Sequence, residues 1–288
     1  MANNLRDFDG LIKSMDVDNL YIYTMSDQTI FVWDKIDYTL TRTMDCSNDV
    51  EIVRDFRVNS KRIYAIGLYN FLVLDKDNAD MIYHYKFGCN TNSDFCHFFN
   101  DVEKIYLSIR NSHVIAIDKT DYMNTCILDE HNDSVESIAS DQDFLYTGSK
   151  DKTVTIWTKK GYEVIDTLYG HNGDVFVTVN EEYIISGSND GKIIVWDKET
   201  LEEKMSIKTA QDTIDWISSW NSYLLTMSSD EGNIKVWDLK ENDCILRTEI
   251  QIPSSLKHNV MIDEDVLYLV TQDHPGIQVF NLEDIVNN

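Results

Sequence analysis

Two stretches of this chain carry a histidine, a hydroxyl, a carboxylate and a tryptophan in the same order: His131, Thr147, Asp151 and Trp157, then His171, Ser186, Asp190 and Trp196. Imidazole beside a carboxylate and a hydroxyl is the set that acid/base and nucleophilic catalysis draws on, with the histidine as base and the carboxylate as its orienting partner. An active site needs one such set. Here the set returns after 40 residues, and a third stretch keeps Thr226, Asp230 and Trp237 with Ala210 or Gln211 where the histidine should fall. Repetition at equivalent positions argues for a structural role. The sequence contains no G-x-S-x-G elbow, no H-E-x-x-H pair and no glycine-rich phosphate loop before a helix. Cys89, Cys96 and His97 match no common ligand spacing and no second pair follows them, so neither a metal nor a cofactor is expected.

The elements that position these residues follow a clear period. Seven alternating apolar strands, IFVWDK, FLVLDK, VIAIDK, VTIWTK, IIVWDK, IKVWDL and IQVFNL, end near Asp34, Asp75, Asp118, Thr158, Asp197, Asp238 and Asn281, at intervals of 39 to 43 residues. A period of roughly 40 to 45 residues carrying four short strands is what a propeller blade requires. The fifth copy shows the unit best: DVFVTV, YIISGS, IIVWD and EKMSI are strands with period-two alternation, joined by short polar turns. Asp190-Gly191 supplies the positive φ that a tight hairpin prefers. The expected fold is all-β, a seven-bladed β-propeller of four-stranded antiparallel blades forming a single domain over 1–288. Only LEDIVNN follows Asn281, whereas NNLRDF precedes the first strand of blade 1. An N-terminal strand is therefore expected to complete the last blade, which removes an exposed sheet edge.

Gly170-His171, Ser186, Asp190 and Trp196-Asp197, with EHNDSV and YTGSKDKTVTIW one repeat earlier, resemble the signature of the WD40-repeat β-propeller family in order and spacing. The resemblance implies that histidine, Ser/Thr, Asp and Trp form a buried hydrogen-bonded tetrad within a blade, over His131, Thr147, Asp151 and Trp157, over His171, Ser186, Asp190 and Trp196, and in part over Thr226, Asp230 and Trp237. Blade 2, with Ala65 and Leu74, and blade 3, with Ser108 and Ile117, depart from the pattern and must lean on apolar packing. The resemblance further implies that turns into each first strand and turns between second and third strands share one face. Tyr69, Asn70, Phe95, Asn111, Ser134, Lys150, Asp174, Asn189, Thr213 and Trp216 become the candidate partner-binding residues. The implied function is a non-catalytic interaction scaffold or adaptor for peptide or subunit partners, acting as a monomer within a larger complex. Two other readings stand beside it: a hydrolase-like site at the channel mouth using His97, His113 or His274, and a structural assembly or coat subunit that pairs by blade edges.

Composition narrows the partners. Among 288 residues, 25 basic against 50 acidic side chains give a net charge of −25. Such a surface repels a phosphate backbone and anionic lipid, so neither nucleic acid nor membrane is an expected ligand. A basic partner suits it, and solubility alone would also account for it. Eleven acidic residues fall in turns between first and second strands: Asp16, Asp18, Asp101, Glu103, Asp141, Asp143, Glu181, Glu182, Asp263, Glu264 and Asp265. Against them stand Lys61, Arg62 and Lys104. These turns lie on one side and form a second candidate docking surface. The opening MANNLRDFDG has no apolar core and no run approaches 18 apolar residues, which argues against a signal peptide or membrane span. Five scattered cysteines suit a reducing compartment, and the cytoplasm is the expected location.

Overall fold

The computed structural model describes residues 3–5, 12–26, 28–46, 53–67, 70–86, 95–109, 112–240, 243–252, 260–271 and 276–287. They form seven four-stranded antiparallel sheets, the seven-bladed β-propeller class that the period predicts. By compactness the chain divides into two units, 1–98 with 255–285, and 99–254 with 286–288.

The first unit holds blades 1, 2 and 7. Blade 1 is Ser14–Val17, Tyr21–Ser26, Thr29–Asp34 and Leu40–Asp45, and blade 2 is Val53–Val58, Arg62–Gly67, Asn70–Asp75 and Met81–Lys86. Blade 7 takes Val260–Asp263, Val266–Thr271 and Gly276–Asn281 from the C-terminal region, and its fourth strand is Asn3–Leu5. Asn3 pairs with Val279 and Leu5 with Ile277, so the two ends of the chain share one sheet. The segment Leu282–Asn287 is a short helix instead of a closing strand. The central strands of blade 1 are covered on both faces by neighbouring sheets. Tyr23, Met25 and Val32 of blade 1 pack on Phe56, Ile63 and Leu72 of blade 2, while Ile22 and Trp33 meet Tyr268 and Val279 of blade 7.

The second unit holds blades 3 to 6. Blade 3 is Phe95–Asn100, Lys104–Ile109, Val114–Asp118 and Thr125–Leu128, and the unit boundary passes through its first strand. Blade 4 is Val135–Ser140, Phe144–Ser149, Thr153–Thr158 and Val164–Tyr169; blade 5 is Val175–Val179, Tyr183–Ser188, Lys192–Asp197 and Glu203–Lys208. Blade 6 is Trp216–Trp220, Tyr223–Ser228, Asn233–Lys240 and Asp243–Gln251. Each interface is apolar: Trp157 of blade 4 lies with Tyr106 and Leu128 of blade 3, and Trp196 and Trp237 occupy the next two interfaces.

The periodic carboxylate has a local cause. Asp34 accepts the amides of Ile36 and Asp37 at 2.8 and 3.2 Å, and Asp197 accepts those of Glu199 and Thr200 at 2.9 Å each, so the side chain ties the turn to the fourth strand. Four residues after five of the seven markers the chain turns left-handed, at Tyr38, Ala79, Tyr122, Tyr162 and Leu201, with φ of 56 to 61°. Glycine would relieve a strain of about 1 kcal/mol there. Four of these side chains, Tyr38, Ala79, Tyr162 and Leu201, instead pack against interface clusters, which explains why a side chain is kept. A register shift between third and fourth strands recurs beside the tryptophan position, at Trp33, Leu74, Trp157, Trp196 and Trp237.

Candidate functional site

In blade 4, His131 Nδ1 lies 2.8 Å from Asp151 Oδ2 and Nε2 lies 2.7 Å from Thr147 Oγ1, while the Trp157 indole N–H donates to the same Oγ1 at 2.9 Å. A carboxylate only accepts, so Nδ1 carries a proton and donates to Asp151. Burial alone would raise the Asp151 carboxyl; the hydrogen bonds from His131 and Thr153 more than offset it and hold the group well below the usual carboxylate range. Blade 5 repeats the arrangement more loosely. His171 Nε2 is 2.8 Å from Ser186 Oγ, which accepts from Trp196 at 3.0 Å, but Nδ1 stands 3.5 Å from Asp190 and makes no hydrogen bond. Burial lowers the His171 pKa against the pull of Asp190 and favours neutral imidazole.

Blade 6 requires a correction. Asp230 is exposed, and the expected tetrad position is filled by its neighbour. Thr226 and Trp237 are 11 residues apart where Ser186 and Trp196 are 10, so the turn is one residue longer and the carboxylate folding back comes from Glu231. Glu231 accepts the Asp212 amide at 2.6 Å, the bond that Asp151 and Asp190 make to the amides of Asn132 and Asn172. Gln211 stands in the histidine's place: Thr226 donates to Gln211 Oε1 at 2.7 Å, and Gln211 Nε2 donates to Asn233 Oδ1 at 2.7 Å. Trp237 donates to Thr226 at 2.8 Å. Blade 1 keeps half the network, with Trp33 donating to Thr24 at 2.9 Å. Sequence reasoning missed Thr24, although its nine-residue spacing from Trp33 was there to read. Thr147, Ser186 and Thr226 are fully buried, and each hydroxyl is engaged by the indole N–H of its blade's tryptophan.

The turns named for partner binding come together blade by blade. The Lys150 amide donates to the Ser134 carbonyl at 2.9 Å, and the Asn189 amide to the Asp174 carbonyl at 3.2 Å. The Asp174 amide returns a bond to Asn189 Oδ1 at 2.8 Å, and Thr213 Oγ1 lies 3.1 Å from Ser228 Oγ. In blades 4, 5 and 6, turns into the first strand therefore sit against turns between second and third strands. Lys150 and Asn189 are exposed, Asp174, Thr213 and Trp216 half-buried, and Ser134 buried. Asn70 departs from expectation: it is buried, with Oδ1 2.9 Å from His84 Nε2 on the fourth strand of its own blade, so its side chain is not free for a partner. Phe95 opens the first strand of blade 3 and His97 lies within it. Tyr69, Asn111 and His274 lie outside the described residues. His113 is half-buried, with Nδ1 enclosed and lacking a hydrogen bond.

The acidic turns are in large part committed to the fold. Asp18 Oδ1 accepts the amides of Leu20 and Tyr21, each at 2.8 Å, and Oδ2 accepts the Tyr23 hydroxyl at 2.9 Å and the Lys76 ammonium of the next blade. Asp101 does the same with Glu103, Lys104 and Tyr106, and pairs with Lys159 at 2.9 Å. Asp141 repeats it with Asp143, Phe144 and Tyr146, and pairs with Lys198 at 2.8 Å. Lys35 of blade 1 reaches Asp263 of blade 7. Burial would raise the carboxyls of Asp18, Asp101 and Asp141, but these bonds bring all three below the ordinary value. Each lysine directly follows the period marker, and each turn acid stands five residues before a buried tyrosine. Asp18/Tyr23, Asp101/Tyr106 and Asp141/Tyr146, with Asn59/Tyr64, were a legible signal that went unread. Asp16 is not in a turn at all: it lies buried in the first strand of blade 1, where Oδ2 accepts the Val58 amide of blade 2 at 2.5 Å. Burial pushes its carboxyl up to about 6, against the attraction of Arg57. Arg57 is held between Asp55, at 2.8 Å, and the ring of Phe98.

Among the described residues no three His, Cys, Asp or Glu side chains are grouped to hold a metal ion, and no helix is long and apolar enough to cross a membrane. The family model for the WD domain, G-beta repeat, matches residues 123–158 and 162–197, the two stretches that carry His131 and His171. No curated protein sequence matches the chain significantly. Solved structures resemble it over nearly its full length. U3-55K aligns with a TM-score of 0.79 at 16% identity, over 98% of this chain and 98% of that one. A chain of the mitotic checkpoint complex aligns at 0.77 and 14%, over 93% and 86%, and the computationally designed Ika8 protein at 0.70 and 15%, over 95% and 97%. At these identities the likeness is one of fold.

Proposed function

We propose that this WD40-repeat β-propeller works as a non-catalytic interaction platform, binding peptide or subunit partners at the turn face that carries Ser134, Lys150, Asp174, Asn189, Thr213 and Trp216. WD40 propellers commonly mediate protein–protein interaction, and a fold by itself assigns no chemistry. The observation that carries the reading is the commitment of the acid/base-capable residues. In blades 4 and 5 the His and Ser/Thr side chains are buried in repeated networks whose hydroxyls already accept the Trp N–H, so no substrate atom can approach them. What remains accessible at that end is a set of converging turns on rigid sheets, the setting in which binding residues concentrate. Trp216, half-buried at the start of its strand, is the anchor we assign, since partly enclosed aromatics dominate binding hot spots. We place the protein in the cytoplasm as a monomer within a larger complex; Cys46, Cys126 and Cys244, none of them in a disulfide, suit a reducing compartment.

The test is recovery of bound proteins from native cells with wild type, Lys150→Glu and Trp216→Ala, each checked for an unchanged unfolding midpoint. Loss of the same partners from both variants supports the reading. Unchanged recovery removes the turn face from it, and turnover of ester or peptide substrates by the purified chain removes the non-catalytic assignment.

A further inference from the structure

A second surface lies at the opposite end of the strands. Between the turn Asp101–Glu103 of blade 3 and the turn Asp141–Asp143 of blade 4 is a cleft of about 740 Å³, both walls belonging to the same compact unit. Phe99 and Tyr106 line it, Val102 and Glu103 form one rim, and Gln142 and Asp143 the other. Its volume falls in the range of ligand clefts, roughly 300 to 1,000 Å³. Val102 is 94% exposed, an apolar side chain held out at the rim of an aromatic-lined hollow.

The charges around the cleft divide into spent and unspent. Asp101 and Asp141 are tied to Lys159 and Lys198, and Lys104 to Asp118 at 2.6 Å. Among the described residues no hydrogen bond or ion pair reaches the carboxylates of Glu103 and Asp143. The backbone amides of the same two residues are bonded to Asp101 and Asp141, which fixes where both side chains begin. The fold thus uses its own lysines to neutralise the inner carboxylates and leaves Glu103, beside Val102, on one rim and Asp143, beside Gln142, on the other. Exposed Lys160 is the lining lysine outside these pairs, so the two unpaired carboxylates outnumber it.

We propose that this cleft docks a short segment of a basic partner protein, presenting Arg or Lys to Glu103 and Asp143 and an adjacent apolar side chain to Val102 and Phe99. Charge complementarity selects the occupant: a chain of net charge −25 draws a cationic segment and repels nucleic acid, and the apolar rim favours a peptide over a bare cation. Arginine suits the position best, because its planar, weakly hydrated fork pairs with carboxylates while its stem covers apolar surface. The inference rests on the platform reading and adds to it a second contact surface and the chemistry of what fills it.

The experiment is selection of a displayed random dodecapeptide library on the full chain, counter-selected on the variant Glu103→Lys/Asp143→Lys. Enriched peptides are then titrated against that variant, Val102→Ser, Lys150→Glu, and the remote charge control Asp230→Lys/Asp243→Lys on blade 6, where both carboxylates are exposed. The expected result is enrichment of sequences with Arg or Lys beside an apolar residue. Their binding should fall at least tenfold in both cleft variants and hold in the remote control and in Lys150→Glu, with unfolding midpoints unchanged. Failure of any sequence to enrich, enrichment of acidic sequences, or equal loss in the remote control overturns the inference. Binding lost in Lys150→Glu but kept in the cleft variants also overturns it, while leaving the platform reading intact. That reading falls separately, when the native-cell recovery described above finds no partner dependent on the turn face.

Discussion

Asp16 is the side chain through which pH should act on this protein most directly. It is enclosed with Arg57 and Asp55 near it and the Val58 amide bonded to it, and burial lifts its carboxyl to about 6. The folded state therefore holds this proton more tightly than the unfolded chain, so the contribution of Asp16 falls as pH rises through the window from about 4 to about 6 and stays low above it. Asp16→Asn keeps an acceptor for Val58 and removes the charge. It should stabilise the protein by on the order of 2 kcal/mol at about pH 8, and the gain should fade towards about pH 4. Urea midpoints of the two proteins at both pH values decide it, and a pH-independent difference would count against the assignment. The histidines give a second test at this scale. His131 makes two good hydrogen bonds and His171 one, so His131→Ala should cost about 2 to 3 kcal/mol and His171→Ala about 1 to 2. The order of the two midpoints is the measurement, and a reversed order would mean that the longer Asp190 contact is not the weaker one.

Blades are joined by more than apolar packing. A lysine just past the third strand of one blade reaches the turn carboxylate of the blade before it, at Lys35, Lys76, Lys159 and Lys198. At Asp18, Asp101 and Asp141 the carboxylate is preset for this by the two amides and the tyrosine hydroxyl that hold it, so little side-chain entropy is lost when the ammonium arrives. Exposed ion pairs contribute about 0.2 to 1 kcal/mol, and this partly covered pair should lie at the upper end. A double-mutant cycle with Asp141→Asn and Lys198→Met should give a coupling of about 1 kcal/mol that shrinks as salt is raised. Zero coupling at low salt would reduce the contact to a bystander. Asparagine already stands at the same turn position in Asn59 and Asn180, bonding the following amides without a charge, which makes Asp141→Asn compatible with the turn.

At the scale of the whole molecule, the pairing of Asn3–Leu5 with Gly276–Asn281 joins the first strand of the chain to the last. Removing residues 1–9 leaves Gly276–Asn281 as an unpaired edge, and exposed edges pair with other chains. The truncated protein should lose thermal stability and form higher oligomers in size-exclusion chromatography; a monomer with the original melting temperature would show that this strand is dispensable. Much of this architecture was legible because each blade writes its own sequence marker. Asp34, Asp75, Asp118 and Asp197 recur because each caps the same turn, so counting them counts blades. Blades 2 and 3 were harder to place because Ala65 and Leu74, and Ile117, replace polar tetrad members with buried apolar ones that resemble any other strand.

What the sequence determined by itself was the repeat and everything local to it: strand alternation, the turn that each Asp closes, and the His, Ser/Thr and Trp spacing within a blade. These rest on interactions over a few to about twenty residues, which order and spacing encode. Tertiary structure decided which charges are free. Asp141 and Asp143 look alike in sequence and line the same cleft, yet Asp141 is bound to Lys198 from the next blade while no ion pair reaches Asp143 among the described residues. Asp16 reads as one more turn acid until the neighbouring blade closes over it. Glu231 replaces Asp230 only because a turn one residue longer rotates the next side chain inward. In each case the deciding partner comes from another sheet or from the path of the backbone, and the strength of a charge depends on burial and on what stands a few ångströms away, neither of which a linear spacing specifies.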